Sequence, residues 1–342
     1  MNELEDKLAL YLRVKLAAPD LTIANLARIP GGASRETYRF RACYAERGKP
    51  IDRALILRRD PVASLIETER SAEYRAYDAF HKLGLPVPEP IALELGSEAL
   101  ERPFFIMAEV ENCTTGGIMS PEPYGPHRER VGRQFYSVLG KIAAADPKAI
   151  GLDDFDGAKT VRDAASHEVA RWEKVIDEDE LEPQPIVRAA LRWLKRNPPP
   201  PAQKICVVHG DYRTGNFLVD DNGEIRAILD WEMSHLGDPL EDLAWAIDPL
   251  WAGADPARPG GMIARAEALR IWENASGLQA DPKALHWWEI FASLKGAAIW
   301  ISAAREYEEG RNIDPVNAFS GWYCLSVHNR VLAERLAAEI GA

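Results

Sequence analysis

One short segment limits this chain more than any other. Residues 205–208, Ile-Cys-Val-Val, are apolar and rich in β-branched side chains, and predict a short buried strand. The polar run His209-Gly210-Asp211-Tyr212-Arg213-Thr214-Gly215-Asn216 follows. Two short apolar runs, 217–219 and 225–229, then flank Asp220-Asp221-Asn222-Gly223. Asn-Gly between such runs is the strongest short-range hairpin signal. A strand, a loop and a hairpin in this order turn the chain back. Asp230, in Asp230-Trp231-Glu232, is therefore expected at the same end as Asp211 and Asn216. One carboxylate and one amide, joined by phosphate oxygens, make a hard oxygen site suited to Mg²⁺. The other carboxylate, Asp211, is left to accept a proton from an attacking hydroxyl.

The rest of the chain has to supply a scaffold for that loop. Its 342 residues correspond to two domains or one large two-lobed unit. The stretch from Asn112 to Pro126 is rich in Thr, Gly and Pro and divides two kinds of sequence. Before it lie a helical period at 3–16 and strand patterns at 21–29, 37–44 and 54–57. A helix at 64–83 and strands at 90–95 and 103–110 follow. Five strands with one inserted helix is an α+β pattern. After the divide, helices are predicted at 128–144, 161–176 and 185–196, and again from 239 onward.

Charge and cysteine usage narrow the function classes. Lys and Arg number 41 against 53 Asp and Glu, a net charge of −12 that argues against a nucleic-acid binder. The longest apolar run, 290–304, is interrupted by Lys295, so no membrane span is expected. Residues 1–7 alternate acids and bases without an apolar core, so no signal peptide is expected. Cys43, Cys113, Cys206 and Cys324 are widely spaced and form no CxxC pair, as expected of reduced thiols in a cytoplasmic protein.

The 209–230 constellation resembles the kinase catalytic loop, where an Asp is followed five residues later by an Asn and then by a second Asp in a metal-binding turn. The opening His209-Gly210-Asp211 and the later Gly237-Asp238-Pro239…Asp242-Leu243-Ala244 are similar to the aminoglycoside phosphotransferase and choline kinase family. The nearest subgroup is the one related to kinase modules fused to acyl-CoA dehydrogenases. The resemblance spans roughly residues 20 to 250. It implies a two-lobed kinase-like fold. A small lobe (1–110) would hold a five-stranded antiparallel sheet and bind nucleotide. A larger, mainly helical lobe (111–342) would carry catalysis and the acceptor site. It also implies an ATP-dependent small-molecule kinase with Asp211 as catalytic base and Mg²⁺ on Asn216 and Asp230.

Further roles follow from the same resemblance. Gly31-Gly32-Ala33-Ser34 sits where a kinase has its phosphate-approaching turn, so Gly32 and Ser34 are expected at the nucleotide. The strand 54–57 ends in Arg58, where most kinases have Lys; a subgroup of the family shares this change. Arg59 next door leaves the assignment open. Glu73 is the acid expected to hold that cation, with Glu69 one turn earlier as its substitute. The Ala108 carbonyl and the Val110 N–H are the expected adenine partners. His209 is expected to pack under the loop and Asp242 to brace it, while His235 reads as a surface-loop residue. Glu232 reads equally as a second metal ligand or the partner of a base. The acceptor reads as a hydroxyacyl thioester or another metabolite, with an aminoglycoside-type antibiotic as the alternative. A nucleotide-binding regulator without catalysis, or a metal phosphoesterase, is the rival from another class.

Overall fold

The computed structural model describes residues 3–29, 36–59, 67–117, 120, 122–253 and 255–340. Gly32 and Ser34 of the expected phosphate turn lie outside the described residues. The chain divides into two compact units. Unit 1 is Met1–Thr114 together with Arg226–Met233, and unit 2 is Thr115–Ile225 together with Ser234–Ala342.

Unit 1 opens with α1 (Glu3–Lys15), followed by β1 (Thr22–Ile29), β2 (Glu36–Glu46), β3 (Lys49–Arg59), α2 (Glu67–Lys82), β4 (Pro90–Glu94) and β5 (Phe104–Ala108). The five strands form one sheet in the order β1-β2-β3-β5-β4, antiparallel throughout. The α+β expectation with a five-stranded antiparallel sheet therefore holds. The strand expected at 54–57 is longer than its apolar stretch. Its first half, Lys49–Arg53, is polar but pairs with β2 through a two-residue turn at Arg47 and Gly48, both with positive φ (50° and 76°). That is the backbone a tight hairpin requires, here without the usual Asn-Gly signature.

β3 is buried on both faces because it lies at the centre of the sheet. Leu55 and Leu57 join Leu8 and Leu12 of α1, with Phe40, Phe104 and Ile106, in one apolar cluster. Residues of the alternate register, Ile56 and Arg58, belong to the opposite face. There Arg58 pairs in register with Phe105, whose ring meets Tyr74 and Tyr77 of α2 at centroid distances of 6.1 and 6.2 Å. The returning segment 226–233 completes this face: Trp231, fully buried, stacks on Phe80 at 4.6 Å.

Unit 2 is mostly helical. A short strand at the boundary of the units, β6 (Cys113–Thr115), leads to α3 (Arg128–Ala144), α4 (Ala164–Asp179) and α5 (Pro185–Arg196). Next come β7 (Cys206–Val208), β8 (Phe217–Asp220), β9 (Ile225–Ile228), which after its first residue belongs to unit 1, and β10 (His235–Gly237). The remaining helices are α6 (Pro239–Ala246), α7 (Arg265–Ser276), α8 (Pro282–Glu308), α9 (Pro315–Phe319) and α10 (Leu325–Ile340). α4 starts three residues later than the predicted 161 because Asp163 accepts a hydrogen bond from Thr160 in the preceding turn. The expected turn after β8 is present. Asp220 Oδ1 accepts from the Asn222 and Glu224 N–H groups, and Gly223 has φ +74°. α8 carries Trp287, Trp288, Phe291, Leu294 and Ala298 into the interior, as a helix apolar on all sides must be. Among the described residues no helix is long and apolar enough to cross a membrane.

Candidate active site

In unit 2 the segment 209–216 lies between β7 and β8. β7 pairs antiparallel with β10, His235 opposite Val208, which fixes where the loop leaves the sheet. Gly210, with φ +86°, makes the exit turn. Asp242 on α6 holds this turn from below. Its Oδ2 accepts the His209 N–H at 2.6 Å and its Oδ1 accepts the Gly210 N–H at 3.0 Å. Burial pushes the Asp242 carboxyl above the ordinary aspartate value. His209 is fully buried, and its Nδ1 accepts the Asp211 N–H at 3.1 Å. Tyr212 anchors the next residue by donating its hydroxyl to the Phe135 carbonyl at 2.7 Å.

The Asp211 carboxylate is thus presented on a braced loop, and its oxygens are met by three donors. Asn216 Nδ2 donates to Oδ2 at 2.6 Å, and also to the Asp211 carbonyl at 2.9 Å. Trp245 Nε1 donates to Oδ1 at 2.8 Å. Arg213 Nε lies 2.9 and 3.1 Å from the two oxygens. Because the Asn216 nitrogen is engaged with Asp211, its amide oxygen is the group left for a cation.

Beneath the loop lies a buried charge network. Lys295 of α8, 1% exposed, donates to the Gly210 carbonyl at 2.7 Å and to Glu241 at 2.9 Å. Glu241 Oε2 lies 3.0 Å from His235 Nε2, which lies 3.6 Å from Glu168 of α4. Burial opposes charge on Glu241, but Lys295 and His235 outweigh it and hold the carboxyl well below the usual range. Burial likewise opposes charge on His235, yet Glu168 and Glu241 raise it to about 9. The expectation that His235 sits on a surface loop is therefore wrong. It lies 2% exposed in a three-residue strand, too short to show a period in sequence.

Arg58, Glu73, Asp230 and Glu232 meet within unit 1. Arg58 pairs with Glu73, which is fully buried. Its Nη2 lies 3.5 Å from Asp230 Oδ1 and 3.9 Å from Glu232. Arg59 points to the other face and pairs with Glu36 at 2.8 Å. Asp230 adopts φ +67°, a left-handed conformation unusual outside glycine, and its N–H donates to Tyr77 Oη at 2.9 Å. Its Oδ1 is buried, with the Arg58 guanidinium 3.5 Å away. The Asp230 and Glu232 carboxylates beside the Arg58 guanidinium are hard oxygen ligands. This donor set fits a divalent cation. Ala108 ends β5, its N–H donating to the Glu89 carbonyl at 2.8 Å. Val110, two residues beyond, donates no backbone hydrogen bond among the described residues.

Sequence reasoning passed over three side chains that touch the loop. Arg213 lies inside the motif but was assigned no role. Trp245 belongs to a tryptophan-rich tail, 245–322, that reads from sequence as mostly core with some members lining an apolar acceptor pocket. Lys295 registers only as the charge that breaks an apolar run, although a lone lysine in an otherwise apolar helix is itself a signal for a buried partner.

The chain matches the phosphotransferase enzyme family over residues 25–278. Mouse acyl-CoA dehydrogenase family member 10 is 30% identical over 250 residues, 71% of this chain but only 22% of that protein. A solved structure from Ralstonia eutropha, provisionally named an aminoglycoside phosphotransferase, superposes with a TM-score of 0.74 at 21% identity, covering 97% of this chain and 98% of that one. Aminoglycoside phosphotransferase APH(4)-Ia, solved with AMP-PNP and hygromycin B, superposes at 0.58 with 19% identity, covering 98% of this chain and all of that one. The likeness to the solved chains is one of fold. With three quarters of its length matched and the loop residues in order, the chain belongs to the phosphotransferase enzyme family.

Proposed function

We propose that the chain is an ATP-dependent kinase for a small-molecule hydroxyl acceptor. The observation that carries this reading is the Asp211 carboxylate, fixed by Asn216, Arg213 and Trp245 on a loop braced from α6 and α8. In this reading the acceptor hydroxyl binds against Asp211, which orients it and takes its proton as the γ-phosphoryl group is transferred. Arg58, held by Glu73, draws in the phosphate chain of ATP. Gly32 and Ser34 approach the same phosphates, and Ala108 and Val110 receive the adenine. Asn216 and Asp230 would hold Mg²⁺, which when bound neutralises charge on the phosphates. His209 and Asp242 keep the loop in place. Residues 1–110 serve the nucleotide, and 111–342 serve catalysis and the acceptor. The acyl-CoA dehydrogenase relative favours a hydroxyacyl thioester or similar metabolite over an aminoglycoside as acceptor.

The test is Asp211→Ala, assayed by ADP release across hydroxyacyl-CoAs, amino alcohols and aminoglycosides. Turnover should fall by at least about 10²-fold, while ATP still raises the melting temperature. Undiminished transfer in this variant would remove Asp211 from the mechanism. ATP binding without turnover of any acceptor by the wild type would leave a nucleotide-binding regulator.

A further inference from the structure

Arg213 has more hydrogen-bonding capacity than its contacts use. A guanidinium offers five N–H groups. Here Nε serves Asp211, Nη1 donates to the Thr214 carbonyl at 3.0 Å, and Nη2 has no partner among the described residues. The side chain is 19% exposed, and its guanidinium lies over the Trp251 ring, 4.9 Å from the centroid. That face contact fixes the plane of the fork and lowers the entropy lost when it binds an anion.

Two buried groups around it also lack partners. Trp251 is 3% exposed, and its indole N–H is buried with no acceptor among the described residues. Tyr124 is 8% exposed and stacked on Phe217 at 5.3 Å; its hydroxyl is likewise buried and makes no well-formed hydrogen bond among the described residues, with the Thr214 side chain as a weak polar contact. Burial pushes the Tyr124 hydroxyl well above its ordinary value, against the opposing influence of Thr214 and Arg213. Tyr124 therefore stays neutral and can act as a donor. A buried polar group without a partner costs about 1–3 kcal/mol. Orphaned donors beside a stacked, under-used arginine call for an acceptor-rich ligand.

We propose that Arg213, with the Tyr124 hydroxyl and the Trp251 indole N–H, forms an oxyanion subsite that binds a carboxylate or phosphate borne by the acceptor. The proposal rests on the reading of Asp211 as the residue that receives the acceptor hydroxyl. The same guanidinium then touches both the carboxylate that orients the hydroxyl and the anion that anchors the molecule. A polycationic acceptor would place like charge against Arg213, so the subsite selects hydroxylated acids over aminoglycosides.

The test uses matched pairs: hydroxycarboxylic acids and hydroxyalkyl phosphates, each beside its neutral amide or alcohol, and one aminoglycoside. Calorimetric affinity is measured alongside ADP release on the full chain. The anionic member of at least one pair should bind about 10- to 100-fold more tightly, as a charge-assisted hydrogen bond implies. The pair that shows this preference identifies carboxylate or phosphate as the anchor. Arg213→Met should collapse the ratio towards one, and Tyr124→Phe, which keeps ring and packing, should reduce it in part. Because the ratio is internal, a general loss of activity does not move it. An unchanged ratio in Arg213→Met, with kcat lowered equally for every acceptor, would assign Arg213 to the transferred phosphoryl group and overturn the subsite. Preference for the neutral or cationic members would overturn it too. An Arg213-dependent affinity ratio without turnover of any compound would keep the subsite and discard the kinase reading.

Discussion

Arg58 and Arg59 are neighbours on β3, and strand geometry sends them to opposite faces of the sheet. Arg58 follows Ile56 towards α2 and Glu73, while Arg59 follows Leu57 and pairs with Glu36 across the β2 register. The two could not be separated in the sequence, because alternation shows that they differ but not which face α2 covers. The consequence for stability is unequal. Arg58→Ala takes one cation from fully buried Glu73 and from Asp230 and Glu232 beside it, and removing one partner of a buried pair costs about 3–5 kcal/mol. Arg59→Ala leaves Glu36 with Arg102 at 3.4 Å, so its cost is smaller. Urea unfolding of the two variants should rank them in that order, and equal midpoints would contradict the assignment.

The loop is held by elements remote in sequence: α4, β10, α6 and α8 contribute Glu168, His235, Glu241 and Lys295 to one buried network. His167 lies 3.2 Å from Glu168, and Arg171 lies 3.9 Å from it. The motif showed which residues form the loop. Its support was not legible, because no local period links a three-residue strand to a carboxylate on α4. The network has a pH signature. His235 holds its proton up to about 9 when folded, against an ordinary value of 6.5. Its contribution is complete below pH 6.5 and is lost as pH rises through 9. A shift of this size corresponds to stability on the order of 3 kcal/mol. Unfolding free energy should therefore fall between pH 6.5 and 9, and His235→Gln should flatten that slope. A wild-type profile that is flat or rising over this range would show that the imidazole is not charged in the folded protein.

At the scale of the molecule, the chain enters unit 1 twice. Residues 226–233 belong with the first 114, and they bring Trp231 onto Phe80 and the Asp230 N–H onto Tyr77. The order of elements was readable because each motif sits on a strand or loop with its own local signal. The return was not, since eight residues carry no composition of their own and their place depends on which surface offers Trp231 a pocket. Trp231→Ala should cost about 3–5 kcal/mol by opening a cavity in unit 1. The expected result is a lower urea midpoint; an unchanged one would mean that the segment adds nothing to the unit's core.

The left-handed backbone at Asp230 bears on how its chemistry can be measured. Asparagine tolerates that conformation nearly as well as glycine, whereas alanine pays about 1–2 kcal/mol to adopt it. An alanine scan would therefore mix a conformational penalty with the loss of a ligand at this position. Exchanging one oxygen for an NH₂ group, as in Asp230→Asn, keeps a residue suited to this turn, so a change in metal dependence reports the altered side-chain ligand and not the backbone.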